Sequence, residues 1–352
     1  MFYIHQTFCI SPQQTFQQQD MESDSYRMLY EPVEKKLHAI EPAYEGIPPG
    51  ILRRMGKAIR MGVGAALPLI KNAASLNGII IGTANGGMED CIKFLNQIVQ
   101  YEEDMLAPGS FVQSTSNVIA AQLGLMTANK GYNITHAHLG LSFENAAIDA
   151  AMQLKEHPGH SFLLGGVDEI SSFNYNIENL AGSYKDSDIS NKQLYEKESP
   201  GSIAGEGAAM FLVSNNKGSA IAKVTAISTI HSKDLAVVRQ QLKLFLEKNT
   251  TGDEPIDLLL TGENGDSRTL PYYAASEDLV ENSASIARFK HMTGEYPTVS
   301  AMALWLACQV LQTQQVPQHM IKRASQTKYK NILIYNNYKG LQHSFILIKK
   351  TG

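Results

Sequence analysis

The sequence predicts an α/β protein built from two similar halves, each with a mixed β-sheet and helices stacked on it in layers. Residues 131–168 form strand, sharp turn, buried helix and strand, a parallel crossover unit whose helix lies on the sheet face. From residue 221 the alternation of strands and helices starts again, although no sequence repeat demonstrates a duplication. We therefore place one half at residues 1–215 and the other at residues 216–352.

The elements of the first half are predicted from apolar residues at strand or helix spacing. In chain order they are a strand Phe2–Ile10, a helix Ile51–Asn72, a strand Asn77–Thr83, a helix after Gly87, a helix capped by Ser114–Ser116 and ending at Lys130, a strand Tyr132–Ala137, a helix Leu141–Leu154, and strands Ser161–Val167 and Ile203–Val213. The polar stretch Ser171–Pro200 is expected to be a long loop over the mouth of a pocket.

The second half repeats the alternation with its own strands and helices. The predicted elements are a strand Ala222–Ile230, a helix Asp234–Leu246, a strand Ile256–Leu260, a helix after Ala275, a buried helix Val299–Leu311, and strands Asn331–Tyr335 and His343–Ile348. Alternation of this kind favours a packed α/β body over separate helical and β domains.

Composition is that of an ordinary globular chain, with 43% hydrophobic and 18% charged residues among 352. A net charge of −4 predicts no general attraction to nucleic acid or to an anionic membrane. The first residues lack a signal-peptide pattern, and no apolar run approaches the roughly 18–20 residues of a spanning helix, so a cytoplasmic location is expected. Cys9, Cys91 and Cys308 show no disulfide or metal spacing, and neither a metal nor a cofactor is predicted.

Residues 131–166 resemble the active-site segment of the β-ketoacyl-acyl carrier protein synthases, the condensing enzymes of fatty acid and polyketide synthesis. In that family the turn carries a nucleophilic cysteine, and the next strand ends in a Gly-Gly-acidic pattern like Gly165-Gly166 here. The resemblance implies a thiolase-like fold, with mixed five-stranded sheets in an α-β-α-β-α arrangement. Aligned without a gap, the degenerate turn spans residues 131–145 and puts Gly140 at the cysteine position.

Two loops of the second half resemble the segments that carry the two catalytic histidines of the family. Residues 261–266 stand at the Asn-Ala-His-Gly-Thr loop and put Glu263 at the first histidine. Residues 290–295 match the Lys-x-Met-Thr-Gly-His segment and put Glu295 at the second. All three catalytic side chains are thus replaced, and an ionised glutamate cannot donate a hydrogen bond to a developing enolate oxygen.

The lysine of that second segment, Lys290, is predicted to form a buried ion pair. Its usual partner in the family is a glutamate on the following helix, whose position here is Leu304. Because an unpaired buried charge is costly, we expect Lys290 to pair with Glu295 or Glu263. The alternative is that both glutamates are solvated loop residues. The family's Gly-Phe-Gly-Gly gate is also degraded, since residues 336–343 hold a single glycine.

Histidines flank the turn and offer one route to a changed chemistry. His138 lies two residues before Gly140 and would act as an acid or base beside a carboxylate. The structural alternative, which we favour, is that the imidazole of His136 or His138 fills the space left by the cysteine and lines a tunnel. No spare nucleophile with an orienting base is evident in the sequence.

Three basic residues stand where the relatives carry cations near the mouth of the pocket: Arg53, Arg54 and Lys130. The resemblance implies that they meet an acidic acyl carrier protein, steered by long-range attraction. The alternative is an ordinary solvated helix end.

The sequence therefore predicts a ketosynthase-like protein with no intact catalytic residue. The favoured hypothesis is a chain-length-factor-type subunit, similar to those of aryl-polyene or flexirubin-type pathways, that forms a heterodimer with an active ketosynthase. One alternative is an enzyme with altered thioester chemistry, decarboxylation or hydrolysis, that uses Glu263, Glu295 and His138. Another is an acyl-binding protein that pairs with itself as a homodimer.

Overall fold

The computed structural model describes residues 1–352 except 16–29, 74, 102–105, 107, 253 and 281. The strands are β1 (Phe2–Ile10), β2 (Lys36–Leu37), β3 (Gly78–Gly82), β4 (Tyr132–His136), β5 (Ser161–Asp168), β6 (Ala204–Gly205), β7 (Gly207–Ser214), β8 (Ala222–His231), β9 (Leu258–Thr261), β10 (Ser285–Arg288), β11 (Ile321–Arg323), β12 (Asn331–Tyr338) and β13 (Gln342–Lys350).

The helices alternate with these strands. They are α1 (Pro49–Leu52), α2 (Lys57–Lys71), α3 (Met88–Gln100), α4 (Pro108–Gln113), α5 (Val118–Thr127), α6 (Ser142–Glu156), α7 (Ser172–Leu180), α8 (Leu235–Asn249), α9 (Leu270–Glu277), α10 (Lys290–Thr293) and α11 (Val299–Thr313). Short 3-10 helices occur at Leu139–Leu141, Asn191–Tyr195 and Gln318–Met320.

The two halves have the same strand order, β4-β3-β5-β7-β1 and β10-β9-β12-β13-β8. Strand directions also match. β3 is parallel to β4 and β5, as β9 is to β10 and β12. The last two strands of each half run antiparallel, β7 between β5 and β1, and β13 between β12 and β8. The predicted α/β fold with two similar halves is confirmed, and the shared order shows a duplication that the sequence did not demonstrate.

Short antiparallel pairing between β1 and β8, at Phe2, Tyr3 and Ile4, joins the sheets of the two halves. Within the described residues the result is one continuous sheet, with β11 added beyond β10 at the far edge. β4 ends the sheet at the other side.

Helices α6 and α11 lie between the two halves and form the central layer with the main core cluster. Helix α11 is apolar all round, which suits a helix packed between two sheets. Helices α2 and α5 cover the outer face of the first sheet, and α8 and α9 cover that of the second. This is the layered arrangement that the resemblance implies.

Residues 171–200 are not the plain loop expected from their polar composition. They contain α7, which Ser171 caps by accepting a hydrogen bond from the Asn174 amide at 3.1 Å. The buried Lys185 then fixes the segment to the second half, because its ammonium donates to the carbonyl oxygens of Ser199 and Gly265, both at 2.7 Å. Polar composition hid these interactions, since serine and lysine are read as solvated until their partners are known.

No helix in the described part of the chain combines the length and apolar character needed to cross a membrane.

Candidate functional site

The turn between β4 and α6 forms the centre of the site. Leu139 has a φ of 49°, in the left-handed region that non-glycine residues rarely adopt, so the chain reverses sharply there. Its side chain is 55% exposed, whereas Gly140 behind it is buried. The turn therefore presents its backbone, not a reactive side chain, at the start of α6.

Tyr338, at the end of β12, occupies the space that a side chain on Gly140 would need. A Cβ built on Gly140 would lie 2.2 Å from the Cβ and 2.4 Å from the Cγ of Tyr338. Contacts this short do not occur between carbon atoms in proteins, so neither alanine nor cysteine fits unless the hairpin moves. The side chain that fills this space therefore comes from the second half of the chain.

The backbone N–H of Gly140 is also engaged. It donates to the Gln342 side-chain oxygen at 2.9 Å, and the Gln342 amide nitrogen lies 3.4 Å from the His138 carbonyl oxygen. A backbone N–H at this turn would otherwise be available to stabilise an oxyanion. Gln342 occupies that donor, so the turn lacks both a nucleophile and a free donor at Gly140.

The expectation that a histidine fills the vacated space is wrong. His138 is exposed, and its Nδ1 lies 2.9 Å from the Asn145 side-chain nitrogen. His136 pairs with Asp149 on α6, at 2.9 Å. Both imidazoles turn toward polar partners on α6, because the ring of Tyr338 already covers Gly140.

The predicted ion pair of Lys290 is confirmed, with Glu295 as its partner. The ammonium of the fully buried Lys290 lies 2.7 Å from Glu295 Oε2, which also accepts from the Asn264 amide at 2.8 Å. Burial lowers the pKa of Lys290, and the Glu295 carboxylate acts in the opposite direction. The pair therefore offers no hydrogen-bond donor on the Glu295 side.

Glu144, which the sequence reasoning missed, is a second carboxyl near Lys290. It is fully buried on α6 and accepts a hydrogen bond from the Ser344 hydroxyl at 2.7 Å. Burial raises its pKa, and the field of Lys290 lowers it in part. Leu304 on α11 is apolar and supplies no carboxyl. The two carboxyls that act on Lys290 are therefore Glu144 on α6 and Glu295. In the sequence, Glu144 could have been found as the single acidic residue on the face of α6 that is otherwise formed by small and apolar residues.

Glu263 does not join this group. Its carboxylate binds Arg288 at 3.1 Å and Lys322 at 2.6 Å, which ties the end of β9 to β10 and β11. The neighbouring residue, Asn264, is the one that reaches Glu295 and lines the cavity. The available signal was Gly265, whose φ of 75° and contact with the Leu194 carbonyl require glycine, as in the His-Gly part of the family loop.

A cavity of 470 Å³ lies beside this turn, at the carboxyl ends of the parallel strands. Helix α7 and the tip of the β12–β13 hairpin both line it. Glu178 on α7 binds Lys339 at the hairpin tip, at 2.7 Å. Glu295 lies in the wall of the cavity. The wall is also rich in tyrosine, with Tyr175, Tyr184, Tyr272, Tyr296 and Tyr338. The size suits a small organic ligand or the arm of a carrier.

The acidic residues after Gly165-Gly166 hold the site together. Asp168 accepts from the amides of Ala84 and Asn85, at 2.9 and 2.8 Å, and from the Thr298 hydroxyl at 2.8 Å. Burial raises its pKa to about 6. The next residue, Glu169, lines the cavity, and burial raises its pKa to about 7.

The predicted carrier-protein residues do not form one surface. Arg53 and Arg54 are exposed between α1 and α2, and the Arg54 carbonyl binds Gln113. Lys130 is exposed just before β4, so the length of that strand separates it from the turn at Gly140. Within the described residues, no group of three or more His, Cys, Asp or Glu side chains is arranged to hold a metal ion.

Comparisons with known proteins relate the fold of this chain to the ketosynthases. The family model described as beta-ketoacyl synthase, N-terminal domain, matches residues 30–179. No curated protein sequence matches the chain. A structure of a ketosynthase in complex with its chain length factor from Xenorhabdus doucetiae is similar with a TM-score of 0.77 at 12% identity, over 99% of this chain and 98% of that chain.

Two further structures show the same likeness. The ishigamide ketosynthase/chain length factor gives a TM-score of 0.78 at 13% identity, over 100% of this chain and 99% of that chain. A beta-ketoacyl synthase from Burkholderia phymatum gives 0.73 at 15% identity, over 100% of both chains. At identities this low, the structural similarity establishes the fold alone, which is the thiolase-like fold of ketosynthases. The family-model match relates the first half of the chain to the β-ketoacyl synthases.

Proposed function

We propose that this protein is a non-catalytic subunit of the chain-length-factor type that pairs with an active ketosynthase in fatty acid or polyketide synthesis. The observation that supports this most directly is Gly140 covered by Tyr338. A protein that had merely lost its cysteine would leave an open space at the turn. Here the space and the adjacent backbone donor are both occupied, as expected of a site adapted to a role without acyl transfer.

The charges of the site support the same proposal. A malonyl group carries a carboxylate, and Glu295 presents a second one in the cavity wall where the family has a histidine. Lys290 is committed to Glu295, so its charge is largely cancelled. The neutralised pair cannot attract the malonyl carboxylate, and the lack of a hydrogen-bond donor on the Glu295 side disfavours decarboxylation at this position.

The free edge of β4 is where we place the partner. In the described structure β4 pairs only with β3, so its other side keeps unpaired backbone groups. Large apolar side chains are exposed on the elements that contact or follow this strand: Leu125 at 78%, Leu139 at 55% and Met152 at 58%. An exposed edge flanked by apolar side chains favours pairing with another chain.

Of the basic residues predicted to contact a carrier protein, the proposal includes Arg53 and Arg54. Arg53 and Arg54 lie just before α2, whose Ala58 amide binds Glu169 in the cavity wall, so they are suitably placed to attract an acidic carrier near the mouth. Lys130 remains a separate prediction because it lies at the other end of β4.

The altered-chemistry alternative requires Glu263, Glu295 and His138 around one substrate. The structure gives each of them a different partner: Arg288 and Lys322, Lys290, and Asn145. Only Glu295 lines the cavity. We therefore do not pursue an active site built on these three residues. A homodimer through β4 remains the alternative that an experiment must distinguish.

The test is reconstitution with a catalytic ketosynthase encoded beside this protein. We expect a stable heterodimer that condenses acyl and malonyl units, while the isolated chain does not. Replacing the partner's active-site cysteine by alanine must abolish all condensation, since this chain supplies no nucleophile. Glu295→Gln should leave condensation by the heterodimer within about twofold, because the amide keeps the hydrogen bond to Asn264. Residual turnover with the cysteine-less partner, or failure to form any heterodimer, would contradict the proposal.

A further inference from the structure

The end of the molecule opposite the cavity carries a group of lysines. The strands β12 and β13 run from the site at Tyr338 to this end, a distance of about 26 Å for eight residues of strand. We call the group the lysine end, and its members are Lys155, Lys217, Lys223, Lys330, Lys349 and Lys350. They come from five separate stretches of sequence, so the fold creates the group.

Two of these lysines face each other directly. Lys223 on β8 is the cross-strand partner of Lys349 on β13, so both side chains project from the same face of the sheet. Lys330 is bound through its backbone carbonyl to the amide of Lys350, at 2.8 Å, which puts another pair next to the first. Like charges directly opposite each other on a sheet destabilise it.

Acidic neighbours offset this charge only partly. Glu254 pairs with Lys349, and its pKa is lowered first by that lysine and further by Lys330. Asp257 uses its carboxylate to accept from the backbone amides of Lys330 and Asn331. Glu156, the last residue of α6, is a third acid among the described residues at this end. Within that described part, the six lysines outnumber the three acids and leave a positive field, although the whole chain has a net charge of −4.

The composition of the lysine end selects among anionic partners. Protein–protein interfaces favour arginine, tyrosine and tryptophan and are depleted in lysine. Recognition of single phosphates in peptides or nucleic acids favours the planar arginine fork, and the group contains no arginine. Adsorption to an anionic lipid surface needs only several lysines on one side of a protein.

We propose that the lysine end adsorbs to the surface of an anionic lipid bilayer. The cavity mouth would then lie about 26 Å from the lipid and face away from it, open to a carrier protein. This inference does not depend on the proposed function, because it concerns a surface on the opposite side of the fold.

The experiment is co-sedimentation of the full chain with vesicles of phosphatidylcholine alone and of phosphatidylcholine with phosphatidylglycerol. We expect binding only to the anionic vesicles, weakened strongly between 0.05 and about 0.5 M salt, since the Debye length falls several-fold. Each lysine near the surface contributes about fivefold to partitioning. The triple variant Lys223→Gln/Lys330→Gln/Lys350→Gln should therefore bind about 100-fold more weakly.

Folding of this variant is not at risk from the loss of Lys223, which relieves repulsion with Lys349. A matched control replaces three exposed lysines elsewhere, Lys93, Lys192 and Lys243, by glutamine and should bind like the wild type. The proposal is overturned if anionic vesicles do not bind at low salt, or if both triple variants lose binding equally. Capture by soluble polyglutamate without vesicle binding would also overturn it, in favour of an acidic protein partner.

Discussion

The two halves of the molecule share one strand order but differ at the equivalent outer strands, β4 and β10. In the described part of the chain, β4 of the first half ends the sheet with an open edge, whereas the equivalent β10 of the second half is covered by β11. Ion pairs hold that cover in place, since Lys322 on β11 binds both Glu263 and Glu277. The contact between His291 Nε2 and His319 Nδ1, at 2.9 Å, adds to it.

We expect the two edges to serve different roles. An open edge invites another chain, and a covered edge prevents sheet extension. Within the described residues, the β4 side is the one that leaves the sheet open to extension, which favours a closed pair over a filament. Glu263, which the resemblance put at a catalytic position, instead binds Arg288 and Lys322 at the covered edge.

The largest effect is expected at the open edge. Leu125→Asp puts a charge into the apolar surroundings of β4 and should weaken dimerisation, with the ketosynthase or with a second copy, by about 100-fold. Sedimentation velocity over a concentration series measures it. The control, Leu180→Asp on α7, changes a side chain that is 88% exposed away from this edge and should not alter the dimer. Equal effects of both variants would show that β4 is not the interface.

The covered edge should respond to the loss of Glu263. Glu263→Gln leaves Arg288 without its carboxylate and removes one of two partners from Lys322, so we expect the free energy of unfolding to fall by about 2 kcal/mol. Urea denaturation measures this, and hydrogen exchange should rise first in β11. Glu247→Gln, which removes an exposed pair with Lys243, is the matched control and should change little. Unchanged exchange in β11 would mean that other contacts hold the cover.

The contact between the halves at Gly140 gives a smaller effect. Gly140→Ala should lower the free energy of unfolding by about 1 to 2 kcal/mol, because its methyl group overlaps Tyr338. In a Tyr338→Gly background the same substitution should cost almost nothing, so a double-mutant cycle isolates the overlap. Gly109→Ala, which meets no atom within 4 Å, is the control. A cost that persists without Tyr338 would place the strain in the backbone instead.

A pH dependence is also expected at the covered edge. Burial, reinforced by His319 and Arg288, lowers the pKa of His291 to about 3, against about 6.5 in an unfolded chain. Between these values the unfolded chain binds the proton and the folded chain does not. Stability is therefore lost as pH falls through this window, by at most about 1.4 kcal/mol per pH unit from this group.

Denaturation of the wild type and His291→Gln from pH 7 to 4.5 isolates this slope. The difference in unfolding free energy between the two proteins should shrink or reverse as the pH falls. The exposed His157→Gln serves as the control and should keep the wild-type slope. Parallel curves for His291→Gln and the wild type would show that His291 is not the group responsible.

The sequence was sufficient for features that lie within one continuous segment. The turn before α6, with Gly140 in it, and Lys290 with Glu295 five residues later were all visible in local patterns. Features assembled from distant segments were not. Tyr338 and Gln342 approach Gly140 across about 200 residues, and nothing near either of them in the chain indicates the contact.

Register and charge distribution limited the rest of the prediction. In the loop after β9, an alignment that differs by one residue decides which side chain is predicted to face the cavity. Glu263 faces β11, whereas the next residue, Asn264, faces the cavity. The resemblance put Lys130 at a basic position of the family. It lies before β4, however, so the strand separates it from the turn at Gly140. The net charge of −4 likewise concealed the lysine end.

We expect the site to be unable to accept an acyl group. This is tested by the intact mass of the isolated protein after incubation with acyl- and malonyl-carrier protein, together with an assay for released carbon dioxide. The expected result is an unchanged mass and no carbon dioxide from the chain alone. A covalent acyl adduct, or decarboxylation that Glu295→Ala abolishes, would contradict it and show that the chain carries a rebuilt active site.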